Sequence, residues 1–138
     1  MAVFESTEKF EEVLGGFFNL IGDTPLVADK LLKSNLIIRF NYTDPDLVLL
    51  IDCSGDKIDV RAHDTDTKVI VEMKMSADIA HKFWFGKVNL TMALTRRQMV
   101  AKGPVPKILK LLPAIKPTYA MYPEYLDKNG FGEYNIHS

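Results

Sequence analysis

The sequence predicts a single α+β domain spanning residues 1–138, because helical periodicity at both ends brackets a middle stretch of period two whose turns are short. Of the 138 residues, 47% are hydrophobic and 25% charged, which matches an ordinary globular protein. A chain of this length buries somewhat under about 70% of its unfolded surface, so a core forms without disulfides or metals.

Between Ser6 and Ile21 the apolar residues Phe10, Val13, Leu14, Phe17, Phe18 and Ile21 recur at three and four, opposite Glu8, Lys9, Glu11 and Glu12. That spacing predicts an amphipathic helix capped by Ser6 or Thr7. Asp23-Thr24-Pro25 is a second start signal, and Leu26, Ala28, Leu31 and Leu32 continue as a short helix. From Leu36 the period becomes two, with Leu36, Ile38, Phe40 and Tyr42 on one face and Ile37, Arg39 and Asn41 on the other. Thr43-Asp44-Pro45-Asp46 turns the chain. Leu47 to Cys53 is apolar on both faces except for Asp52, which predicts a central strand. After Ser54-Gly55-Asp56, Ile58, Val60 and Ala62 alternate with Asp59, Arg61 and His63 as a half-solvated strand closed by Asp64-Thr65-Asp66. A fourth strand follows through Val69, Val71 and Met73. Connections this short favour antiparallel neighbours, since a parallel pair ordinarily needs a crossover of a dozen or more residues. A meander of four strands is expected.

Helical signals return after Met75. Ser76 is a good N-cap, Asp78 suits the first turn, Ile79, Ala80, Phe83 and Trp84 form an apolar stripe, and Gly86 marks the end. A short segment from Leu90 to Leu94 precedes Gln98 to Gly103, which alternates like a fifth strand. Gly103-Pro104-Val105-Pro106 breaks the chain, and Ile108, Leu109, Leu111, Leu112 and Ile115 then form a helix with Lys107 and Lys110 outward. Pro117 restarts the chain as a tyrosine-rich turn or short helix.

Net charge is −1, which removes any global argument for nucleic acid. Its distribution is uneven: His81 to Lys116 holds Lys82, Lys87, Arg96, Arg97, Lys102, Lys107, Lys110 and Lys116 without one Asp or Glu, while the N-terminal segment is acidic. Two readings stay open, a pair of solvated surfaces with weak mutual attraction and a docking face for an anionic membrane surface through Lys107 and Lys110. The lone Cys53 cannot form an internal disulfide, no run of 18 or more apolar residues is present, and Met1 to Lys9 lacks the pattern of a secretion signal. A cytoplasmic, reducing location is expected, where the triplets Asn41-Tyr42-Thr43 and Asn89-Leu90-Thr91 are chance matches to a glycosylation pattern.

Little in the sequence points to catalysis. His63, His81 and His137 have no zinc-site spacing, so no metal or other cofactor is expected. Cys53 has no basic neighbour to activate it and reads as a packed thiol. Asp44 with Asp46, and Asp64 with Asp66, sit where turns need Asp, and Gly86-Lys87 lacks the Gly-rich loop of a phosphate site. The strongest rival reading is an enzyme of the steroid-isomerase type, with Asp52 as base and Tyr42 in the preceding strand. A carboxylate capping the Ser54-Gly55 turn explains Asp52 more simply. A protein-interaction module would need an exposed apolar face.

The order of parts resembles the sterol-carrier-protein type 2 lipid-binding domain over nearly the whole chain. The helix capped by Ser76 with Asp78, the Gly86-Lys87 at its end, Ala93 before a strand and Gly103 closing that strand look like that family's core signature. The resemblance implies a five-stranded, mostly antiparallel sheet covered on one side by helices, with an apolar tunnel between them for sterols, fatty acyl chains or phospholipids. It also implies a carrier without catalysis. The tail Asn135-Ile136-His137-Ser138 is not a peroxisomal tripeptide and the first helix is acidic, departures that favour a bacterial or archaeal relative with a different ligand. Trp84, Phe85, Leu90, Met92, Met99, Leu109, Leu112, Ile115, Tyr119 and Met121 crowd the second half and form the candidate ligand-binding set, although each also reads as plain core.

Overall fold

The computed structural model describes residues 3–136, so His137 of the tail lies outside the described residues. Helix α1 (Thr7–Phe10) runs through a π-helical turn (Glu11–Gly15) into α2 (Gly16–Gly22), and all six apolar residues of the predicted stripe are buried. Ser6 caps the start, its hydroxyl accepting from the Lys9 N–H at 3.1 Å. Pro25 opens α3 (Pro25–Leu32), whose Thr24 hydroxyl donates back to the Leu20 carbonyl instead of capping.

The strands are β1 (Ile37–Thr43), β2 (Leu47–Asp52), β3 (Asp59–Ala62), β4 (Val71–Ser76) and β5 (Met99–Lys102), in the sheet order β3-β2-β1-β4-β5. Three pairings are antiparallel, and β1 pairs with β4 in parallel. The expected meander is therefore corrected, because β4 does not return beside β3 but crosses to the far side of β1, which takes the central place assigned to β2. Register explains how a short connection manages this. Through β2, Ala62 is level with Phe40, whereas Val71 is level with Ile38, so the chain moves three strands sideways and only two residues back. That is about 16 Å, well inside the reach of the eight residues between them.

The crossing segment is tied to the sheet's outer face by Arg39, which is only 7% exposed. Its guanidinium donates to the Asp64 carbonyl at 3.0 Å and to the Thr67 carbonyl, and it lies 3.5 Å from the Glu72 carboxylate. Arg61 reaches the same segment, 3.0 Å from the Asp64 carboxylate, and also contacts Asp59 and Asp52. Asp64 in turn accepts from the Asp66 and Thr67 N–H groups and the Thr67 hydroxyl, the turn role its sequence position suggested. Those donors hold the Asp64 carboxyl down at about 2.

The helices lie on the opposite face. Ser76 caps α4 (Ala77–Trp84) by accepting from the Ile79 N–H at 3.1 Å, and Gly86 ends it at φ 76°, where a side chain would press on Tyr119. Asn89 caps α5 (Leu90–Thr95), and β5 closes at Gly103, whose φ of 123° and closeness to the Ile70 carbonyl leave no room for a Cβ. The single helix expected from Lys107 to Ile115 is two, α6 (Val105–Leu109) and α7 (Leu112–Ile115), because Pro113 lacks the N–H that continuation would need. The break at Gly103 is shorter than expected, since Pro106 fits the first turn of α6. The tyrosine-rich turn or short helix expected after Pro117 is an eleven-residue helix, α8 (Thr118–Lys128), with Pro123 inside it. Burial of Tyr122, Tyr125 and Leu126 outweighs the proline there. His81 joins α4 to α8 and the C-terminal turn: its Nε2–H donates to the Tyr134 carbonyl at 2.9 Å and its Nδ1 accepts from the Tyr122 hydroxyl at 2.8 Å.

Arg39→Met keeps the aliphatic stem and removes the charge, leaving the carbonyls of half-buried Asp64 and Thr67 without their donor. It should cost about 2–4 kcal/mol in urea unfolding. A loss below about 1 kcal/mol would show that the crossing segment is held by other contacts.

Candidate functional site

Between the sheet and the helices lies a cavity of about 80 Å³ lined by eighteen residues. The sheet contributes Ile38, Phe40 and Tyr42 from β1, Ile51 and Cys53 from β2 and its end, Met73 and Met75 from β4, and Met99 from β5. Every second residue of each strand faces this way, as the pleat requires. From the helices come Phe18 and Ile21 of α2, Leu31 of α3, Phe83 and Trp84 of α4, and Leu90 of α5. Ile108, Leu111 and Ile115 of the α6–α7 segment join them, with Ile58 before β3. No charged side chain lines the space. Its volume is below the roughly 300–1,000 Å³ usual for small-molecule pockets, so filling it requires lining side chains to move apart. Three of the eighteen are methionines, whose unbranched side chains adapt most readily.

Trp84, Leu90, Met99 and Ile115 of the candidate set line the cavity. The other six lie elsewhere. Phe85 is buried edge-on against His81 and Tyr122, each with ring centroids 4.9 Å away. Tyr119 packs on Gly86 and on the Phe83 ring, while Leu109, Leu112 and Met121 are half-buried against the core. Met92 is 47% exposed, because Leu90 and Ala93 take the inward face of the short α5. Most of the sheet side was missed. Its signal was present in the period-two faces, but a face that is inward for the core reads the same as one that borders a cavity.

Asp52 and Tyr42 stand on opposite faces of the sheet, Tyr42 on the cavity and Asp52 between the cavity-lining Ile51 and Cys53. Both the Ser54 N–H (2.9 Å) and the Ser54 hydroxyl (2.5 Å) donate to Asp52, the turn cap that the sequence favoured. Those bonds hold its carboxyl below the usual range, the reverse of what a general base in an apolar pocket needs. Cys53 is buried, which pushes its thiol up to about 11 with some help from the Asp52 charge. Among the described residues no group of three or more His, Cys, Asp or Glu is placed to hold a metal, and no helix is long and apolar enough to cross a membrane.

The sequence model of a known family matches residues 18–116, a stretch that runs from α2 through the sheet to the end of α7. The chain belongs to the SCP-2 sterol transfer family. Solved structures with this fold include sterol carrier protein 2 from Yarrowia lipolytica in its apo form, at 19% identity and a TM-score of 0.61, covering 82% of this chain and 91% of that one. The sterol carrier protein domain 2 of Helicoverpa armigera superposes at a TM-score of 0.63 and 17% identity, over 78% of this chain and 88% of that one. The fold also occurs within the sec-alkylsulfatase Pisa1 from Pseudomonas sp. (TM-score 0.60, 15% identity), where 71% of this chain covers 15% of that one. No curated protein sequence matches this chain.

Because Asp52 faces away from the SCP-2 cavity, Asp52→Asn should lower stability by about 1 kcal/mol through the weakened cap and leave ligand affinity unchanged within twofold. Affinity and urea unfolding measured on one preparation separate the two effects.

Proposed function

We propose that this SCP-2 family member is a non-catalytic carrier that takes a fatty acyl chain, phospholipid or sterol-like molecule into the cavity between sheet and helices. The observation that carries the reading is the lining: eighteen side chains, none charged, enclosed by two layers of secondary structure. Membership of a sterol transfer family supports the same reading. Burying about 400 Å² of apolar ligand surface contributes roughly 10 kcal/mol at about 25 cal/mol per Å². Lost rigid-body freedom consumes at least about 4 kcal/mol of it, which leaves affinity near the micromolar range and a ligand able to depart. Trp84, Leu90, Met99 and Ile115, together with the sheet residues opposite them, are the proposed ligand contacts.

The α6–α7 segment is the proposed route of uptake. Ile108, Leu111 and Ile115 face the cavity, while Lys107, Lys110 and Lys116 beside them are exposed. All eight basic residues from Lys82 to Lys116 are exposed, and none forms an ion pair among the described residues. The acidic N-terminal residues find other partners, Glu11 at His63 and Glu12 at Lys9. Cations left without acidic neighbours favour contact with an anionic membrane surface, where the proline-interrupted segment opens over the lipid.

Native mass spectrometry of the purified protein, followed by extraction, should find a copurifying apolar molecule or reveal binding of added fatty acid, sterol or phospholipid, with a shift in Trp84 emission on binding. A protein that stays empty with all three classes would overturn the carrier reading. Reversing Lys107 and Lys110 to Glu should slow lipid exchange with anionic vesicles by about tenfold at low salt and leave solution affinity unchanged. Equal exchange rates would remove this segment from the uptake route.

A further inference from the structure

The cavity holds a clue to the polarity of its ligand, one that rests on the carrier reading. Tyr42 is 4% exposed and lies on the lining, yet its hydroxyl has no hydrogen-bond partner among the described residues. Its ring is held in place, edge-on to Phe10 at 5.0 Å and stacked on Phe40 at 5.9 Å between centroids. Other buried tyrosines of this core are bonded: Tyr122 to His81, Tyr125 to the Val13 carbonyl, Tyr134 to Glu5. Since no buried polar side-chain atom of the described residues is sealed off without a partner, the Tyr42 oxygen keeps some accessible surface, and Tyr42 is one of the residues that line the cavity. An unbonded hydroxyl in apolar surroundings is costly, and a ligand that supplies an oxygen removes that cost.

The lining also limits what that oxygen belongs to. No Lys, Arg or His lines the cavity, so an ionised headgroup placed inside would lose its hydration without a counter-charge. We infer that Tyr42 selects an uncharged ligand carrying a hydrogen-bonding oxygen at its buried end, an alcohol, ketone or quinone-like group, and that an ionised fatty acid binds with its carboxylate turned out of the cavity. Burial raises the hydroxyl's pKa far above its ordinary value, with Tyr122 adding to the effect, so the group remains an O–H donor throughout the physiological range. Trp84 is the one other lining residue with a polar nitrogen or oxygen in its side chain, which makes it the natural control.

Tyr42→Phe keeps the ring packing and deletes the donor, so the apo protein should unfold at the same temperature as wild type or higher. Affinities for decane, 1-decanol, 2-decanone and decanoate at pH 8 are then measured by displacement of N-phenyl-1-naphthylamine from wild type, Tyr42→Phe and Trp84→Phe. The ratio of wild-type to Tyr42→Phe affinity should be about three- to tenfold for the alcohol and ketone and about one for decane and decanoate. A ratio near one for all four ligands overturns the inference while leaving the carrier reading intact, as does a selective loss in Trp84→Phe alone. An equal loss for decanoate overturns the preference for an uncharged group. If none of the four displaces the reporter from wild type, the carrier reading itself fails.

Discussion

The buried guanidinium of Arg39 is the contact on which the architecture turns. It lies on the outer face of the central strand and binds two backbone carbonyls of the segment that crosses from β3 to β4. With that segment held against the face, β4 is delivered to the free edge of β1 and pairs in parallel, and β5 can then extend the sheet. A cation so deeply buried is tolerable only with its donors occupied and carboxylates near by; the Asp64 and Thr67 carbonyls meet the first need and the Asp64 and Glu72 carboxylates the second. Leu50, directly opposite Arg39 in register, is fully buried on the same face.

The two faces of the sheet therefore have different chemistry for different reasons. Outside, charge and hydrogen bonds hold one connection in place. Inside, aromatic and aliphatic side chains meet helices whose own polar needs are met locally by Ser6, Ser76 and Asn89 caps and by the His81 bridge to Tyr122 and Tyr134. Because these groups find their partners away from the lining, with the Tyr42 hydroxyl the exception, the cavity carries no charge. Three methionines line it, Pro113 interrupts the helical cover over it, and the basic residues beside that cover are exposed.

Much of this was legible in the sequence because it depends on neighbours in the chain. A helical stripe such as Phe10 to Ile21, an alternation such as Ile38, Phe40 and Tyr42, the Ser76 cap and the Asp64 turn follow from periods and short-range hydrogen bonds, and the α+β class follows from their order. The family resemblance through Ser76, Asp78, Gly86, Ala93 and Gly103 was legible for the same reason, two of those positions being sites where the backbone or a close neighbour excludes a side chain.

The tertiary structure decided what depends on distant pairs. Whether β4 pairs with β3 or β1 is set by contacts between Arg39 and residues 25 and 28 positions away, and loop length alone does not report it. Whether residues 118–128 form a helix despite Pro123 is set by burial against α2 and α4, which local propensity opposes. The cavity is the clearest instance. Sequence marks Tyr42, Trp84 and Met99 as inward, but only the gap left where two layers fail to close decides which inward residues touch space and which touch one another.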